Sequence, residues 1–231
     1  MLFSTPLPLK EQCNSILTTQ EAADGIRLTS INAKELLDDA KFLFDNERYP
    51  RAIALAILAI EEVGKIEKIK NLLLSAQKVQ SLWRELRSHK SKNFHWVFPM
   101  LKKLGVNDEA VLKSFTASSS DSVIFLDQLK QICFYVEAVS EAKKCQWWLP
   151  SAITNKELAE VYLSIAHEVV LDDRIIWSKG ALEVFKRYAC YEDGEIKYND
   201  IIGFYEELCN SDYITQDRLS KIKLNYSSMK G

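Results

Sequence analysis

Apolar residues recur along this chain at steps of three and four, and no segment alternates long enough to suggest a sheet. The pattern therefore predicts a mostly α protein with about five or more substantial helices. The first clear helix is expected to begin near Ser30 or Asn32, either of which can cap it. It places Ala33, Leu36, Leu37, Ala40, Leu43 and Phe44 on one face and mostly Asp38, Asp39 and Asp45 on the other. After a turn at Asn46 to Tyr49, Pro50 suits a first helical turn, and a second helix is predicted from Arg51 to about Ser75. A third is predicted over about Val79 to Lys92 and a shorter one over about Phe94 to Lys103, before Gly105. The stretch from Asn107 to Ser120 is weaker, and Asp121 to Gln131 is helical in pattern. Cys133 to Val136 fits a short extended piece, and Trp147, Trp148, Leu149 and Pro150 mark a stop. From Thr154, with Glu157 completing a capping box, one long helix is predicted to reach Tyr188, weakened but not ended at Gly180. Helices around Asn199 to Cys209 and Thr215 to Tyr226 complete the pattern.

Length and composition narrow this picture. At 231 residues, 47% hydrophobic and 27% charged, the chain is globular, with one ample core or a core plus a small appendage. The expected division is an N-terminal extension at 1–29, a helical domain at 30–190, and a C-terminal helical extension at 191–231 packed on the same domain. The net charge of -2 supplies no bulk attraction for nucleic acid, so RNA contact requires a local basic patch. Arg84, Arg87, Lys90 and Lys92 form the densest such patch near a histidine. Five cysteines without CxxC spacing indicate neither a disulfide framework nor a zinc knuckle. With no signal-peptide core in Met1 to Lys10, a reducing cytoplasm is the expected compartment. The longest apolar run, Ala52 to Ile60, is nine residues. A bilayer span needs about 20, so it reads as a buried helix and no membrane partner is expected.

The candidate chemistry centres on Arg84-Glu85-Leu86-Arg87-Ser88-His89. Arginine offers a permanent cation with a fixed fork of donors, and histidine exchanges a proton near neutral pH. On RNA, His89 could take the proton of a ribose 2′-hydroxyl or give one to the departing 5′-oxygen, while Arg84 stabilises the phosphoryl oxygens. Neither step requires a metal, and the sequence offers no obvious metal-ligand cluster; no cofactor is expected. Helical geometry complicates the pair. At about 100° per residue, Arg84 and His89 project about 140° apart on one straight helix, on either side of the Val79, Leu82, Trp83 and Leu86 stripe. Convergence then needs the arginine's reach, a distortion near Ser88, or a second copy of the helix. Glu85 sits four residues before His89, where its carboxylate could orient the imidazole. Arginine and histidine at this spacing recur by chance, however, and a helical histidine is more often a surface or core residue.

On the second helix, Glu62 falls within the Leu55, Ala59, Ile66, Ile69 and Leu73 seam, with Arg84 as a candidate partner. A structural ion pair and a site-supporting role both fit Glu62. Glu61 reads as half of an exposed pair with Lys65. His95, beside Phe94 and Trp96, suits an aromatic-packed helix start better than RNA stacking, and His167, near Glu168, Asp172 and Asp173, reads as structural. No glycine-rich phosphate loop, GxSxG elbow or cysteine-histidine nucleophile pair is present.

Several segments in order carry a more specific signal. They are Asn32 to Ala40, Tyr49 to Ala52 leading through Ala56 to Lys65, Arg84 to His89 with Lys90 and Lys92, Cys133 to Glu137, and Trp148 to Pro150. Over about residues 30–170 the chain resembles the AbiV family of abortive-infection proteins, within the HEPN superfamily. The resemblance implies a HEPN-like helical bundle, here with additional C-terminal helices, usually a homodimer, in antiviral defence. Many HEPN proteins are metal-independent ribonucleases whose arginine and histidine motifs face each other across the dimer. This implies Arg84 and His89 as catalytic residues, with Glu62, Glu85, Arg87, Lys90 and Lys92 supporting the site or binding RNA. HEPN nucleases often place a small polar residue or histidine after the arginine. Here Glu85 stands there, and it would repel phosphate unless paired. Other HEPN proteins are noncatalytic binding modules or partners of a nucleotidyltransferase. The expected function is thus a phage-defence toxin cutting RNA, with a phage-encoded activator as a possible trigger. The alternative is a noncatalytic protein that binds a phage or host factor and blocks translation or another process.

Overall fold

The computed structural model describes residues 13–75, 79–88, 121–141, 144–171 and 177–228. Its first element, α1 (Thr19–Asp45), starts well before Ser30. Thr18 accepts from the Glu21 amide, and the Glu21 carboxylate answers the Thr18 amide at 2.8 Å, closing a capping box. Ser30 does not interrupt the helix, because its hydroxyl donates back to the Ile26 carbonyl at 2.9 Å. Residues 19–29 therefore belong to the first long helix. Asn46 and the left-handed Glu47 turn the chain into α2 (Tyr49–Leu74), which carries Pro50 in its first turn. Next come α3 (Val79–Arg87) and α4 (Asp121–Phe134).

Cys133 and Phe134 end α4 instead of forming a strand. The extended pair lies just beyond, as β1 (Glu137–Glu141) antiparallel to β2 (Lys144–Trp148). A single turn, α5 (Pro150–Ile153), leads to α6 (Lys156–Val170). Asn155, not Thr154, caps α6 by accepting from the Leu158 amide at 2.9 Å. The long helix expected up to Tyr188 is two helices. Leu171 closes α6, and Ser178 caps α7 (Lys179–Tyr188), so Gly180 lies in a first turn and not mid-helix. A second hairpin follows, β3 (Ala189–Glu192) with β4 (Glu195–Tyr198), turned by Asp193 and Gly194, both at positive φ. The remaining elements are α8 (Ile201–Asn210) and α9 (Gln216–Ser228). The fold is a mostly α bundle. Among the described residues no helix is long and apolar enough to cross a membrane.

α1 and α2 pack most extensively on each other and run between two hydrophobic cores. Near their connecting turn, Leu37, Ala40, Ile53 and Ile57 meet Leu126 and Leu129 of α4 and Ala159 and Tyr162 of α6. At the other end, Ala22, Ile26, Ile69 and Leu73 meet Leu182 and Phe185 of α7, Phe204 and Leu208 of α8, and Leu219 of α9. Phe185 and Phe204 are fully buried with ring centroids 6.0 Å apart.

Two acidic positions exchange the roles expected of them. Glu61 is 2% exposed and pairs with the equally buried Lys130 of α4 at 2.6 Å, with Asp127 3.3 Å from the same ammonium. Glu62 is half-buried and is the one that pairs with Lys65. α2 is covered on several sides, so the stripe through Ile53, Ile57 and Gly64 also carries Glu61 inward.

Candidate functional site

Within α3 only Leu82 is fully enclosed. Leu86 packs partly against the second core. Ser88, with its amide on the Arg84 and Glu85 carbonyls at 3.0 and 3.1 Å, lies just outside the helix. His89, Lys90, Lys92 and His95 lie outside the described residues, and with them the predicted continuation of this helix to Lys92 and the angle between Arg84 and His89.

Arg84 is exposed, and among the described residues no hydrogen bond or ion pair joins it to Glu62. Glu85 is tied to Lys68 of α2 at 3.0 Å. This pair gives the Glu85 carboxylate a cationic partner and ties α3 to α2. Burial raises the phenol of Tyr191, in the C-terminal hairpin, above its usual range, and the charge of Glu85 adds to the shift.

Arg87 is engaged elsewhere. Nη2 donates to the Cys13 carbonyl at 2.6 Å, and both terminal nitrogens reach Asn14 Oδ1 at 3.4 Å. Its guanidinium lies 5.4 Å from the Trp83 ring centroid, and Trp83 donates its indole N–H to the Ser15 carbonyl at 2.9 Å. The structure thus gathers Arg84, Glu85 and Arg87 on one short helix and leaves Glu62 in a pair of its own on α2. Sequence reasoning missed Lys68, Tyr191 and residues 13–15, since each reaches α3 from a distant part of the chain with no local spacing to announce it. His167, in the last turn of α6, accepts the Leu171 amide through its backbone carbonyl. Among the described residues no group of three or more histidine, cysteine or acidic side chains gathers as a metal site. Cys133 is buried in the first core, which pushes its thiol up to about 12.

Comparisons with known proteins agree with the helical fold. The HEPN-type family model described as AbiV matches residues 21–171, more than half the chain and a span that includes α3. Neither the search of curated proteins nor the search of solved structures yields a match. The family match, on a chain folded as a mostly α bundle, makes this protein a member of the AbiV family of the HEPN superfamily.

Proposed function

We propose that this protein is a metal-independent endoribonuclease that acts in abortive infection. The observation that carries the reading is the exposure of Arg84 on a helix held to α2 by the Lys68–Glu85 pair, just ahead of His89 in the matched span. Arg84 stabilises charge on the phosphoryl oxygens. The ribose 2′-oxygen attacks phosphorus as the bond to the 5′-oxygen breaks, leaving a 2′,3′-cyclic phosphate and a 5′-hydroxyl. One group must take the 2′ proton and another must protonate the leaving oxygen. A homodimer meets both needs, with a His89 from each copy. Lys90 and Lys92 add local positive charge, and a phage-encoded factor triggers the activity in the cytoplasm. Purified protein is expected to cut single-stranded RNA in the presence of a chelator, and folded His89→Ala is expected to lose about 100-fold or more of that activity. Undiminished cleavage by the folded variant overturns the assignment.

A second reading has its own support. Tyr135, Trp147 and Leu149 are 61%, 73% and 62% exposed around the first hairpin, an apolar surface suited to a protein partner. A noncatalytic protein that binds a phage or host factor would use such a surface. Phage protection that survives Arg84→Ala/His89→Ala selects this reading over the nuclease.

A further inference from the structure

Residues 13–15, just before α1, lie against Trp83 and Arg87 of α3. Their three acceptors, the Cys13 and Ser15 carbonyls and Asn14 Oδ1, are uncharged oxygens on the donors of Arg87 and Trp83. A guanidinium over an indole ring is equipped for other cargo. The fork grips a phosphodiester, the ring stacks an unpaired base, and both features recur where proteins hold single strands. Arg84 and Arg87 stand three residues apart on α3, so a strand lying on one reaches the other. A charged phosphate is a stronger acceptor for Arg87 than a neutral carbonyl. The strap residues precede the 21–171 span of the family match.

We propose that Trp83 and Arg87 form a nucleotide subsite for single-stranded RNA beside Arg84, and that residues 13–15 are an intramolecular strap that occupies it until RNA displaces them. The proposal rests on the ribonuclease reading and adds regulation to it. In the strapped state Arg87 is withheld from substrate while Arg84 stays exposed, so the strap lowers affinity for RNA and leaves the phosphoryl-stabilising group in place.

The test uses the full chain and a 2′-O-methylated single-stranded RNA of about ten nucleotides, a length within the range such sites cover. The probe lacks the attacking hydroxyl, so binding is read without cleavage. Asn14→Ala/Trp83→Phe removes the amide oxygen and the indole donor but keeps the guanidinium and an aromatic face. It is expected to bind the probe about fivefold more tightly than wild type, and adding Arg87→Ala is expected to erase the gain. In the wild type, saturating probe is expected to shift the amide NMR signals of Asn14 and Ile16, whose peptide units hold the Cys13 and Ser15 carbonyls, a readout that needs no variant to fold. Binding no tighter in the folded double variant, or unmoved Asn14 and Ile16 signals under saturating probe, overturns the strap. Failure of the nuclease reading looks different: strap release on binding, together with no cutting of unmodified RNA.

Discussion

Replacing Lys130 by methionine strips the ammonium from a carboxylate that is 2% exposed. A buried charge that loses its partner is destabilising by several kcal/mol, whereas replacing both members by apolar groups is often nearly neutral. Lys130→Met is therefore expected to cost about 3 kcal/mol, read from the denaturant midpoint, and Glu61→Leu/Lys130→Met to recover most of it. A single variant as stable as wild type would show that the pair carries no weight. The same residues show where side-chain reading stops. Helical phase puts Glu62 inward and Glu61 outward, and the structure reverses them; the two differ by only about 100° of rotation on a helix covered from several sides. Lys130, which settles the choice, is 69 positions away. Likewise nothing in the residues around Glu85 announces its partner Lys68, 17 positions earlier and 3.0 Å away.

At the scale of elements, α2 and the helical character of α4 were legible from apolar spacing, while several boundaries were not. Two missed signals were present all the same. Thr18-Thr19-Gln20-Glu21 has the capping-box spacing, and Asp193-Gly194 is a two-residue hairpin turn between short strands. The break between α6 and α7 had a weaker sign in Ser178, and Gly180 marks something other than helix weakness. A Cβ there would fall 1.8 Å from the Tyr213 hydroxyl oxygen and 2.8 Å from Cζ, so the glycine lets the segment after α8 close over the first turn of α7. Gly180→Ala is expected to lower stability by about 1–3 kcal/mol despite the better helix propensity of alanine. In a Tyr213→Ala background the penalty should vanish, and a double-mutant cycle with no coupling would discount this contact.

Across the whole molecule, the mostly α class follows from periodicity, but the sharing of α1 and α2 between two cores does not. It depends on meetings such as Ile26 and Ile69 with Phe185, Phe204 and Leu208, which no local pattern encodes. One consequence is that the family-matched span is not self-sufficient. A chain ended at Leu171 would expose Ala22, Ile26, Ile69 and Leu73 to water, at about 1.5–3 kcal/mol for each large side chain. Such a fragment is expected to aggregate or to lose protection at the open end of the α1–α2 pair, as read by size exclusion and hydrogen exchange. A monodisperse fragment with native protection there would contradict the shared-core account.

The second core also sets an order in time. The ribosome releases α1, α2 and α3 long before Phe204, Leu208 and Leu219, and at about 5–20 residues per second the interval is on the order of ten seconds. During that interval the end of α2 that carries Lys68 and leads into α3 lacks its apolar support. If Arg84 belongs to an RNA-cutting site, the nascent chain holds it on an unfinished scaffold while messenger and ribosomal RNA are closest at hand. On that reading the arginine helix gains its full apolar support only once α8 and α9 have been made, which would spare the machinery that makes the protein.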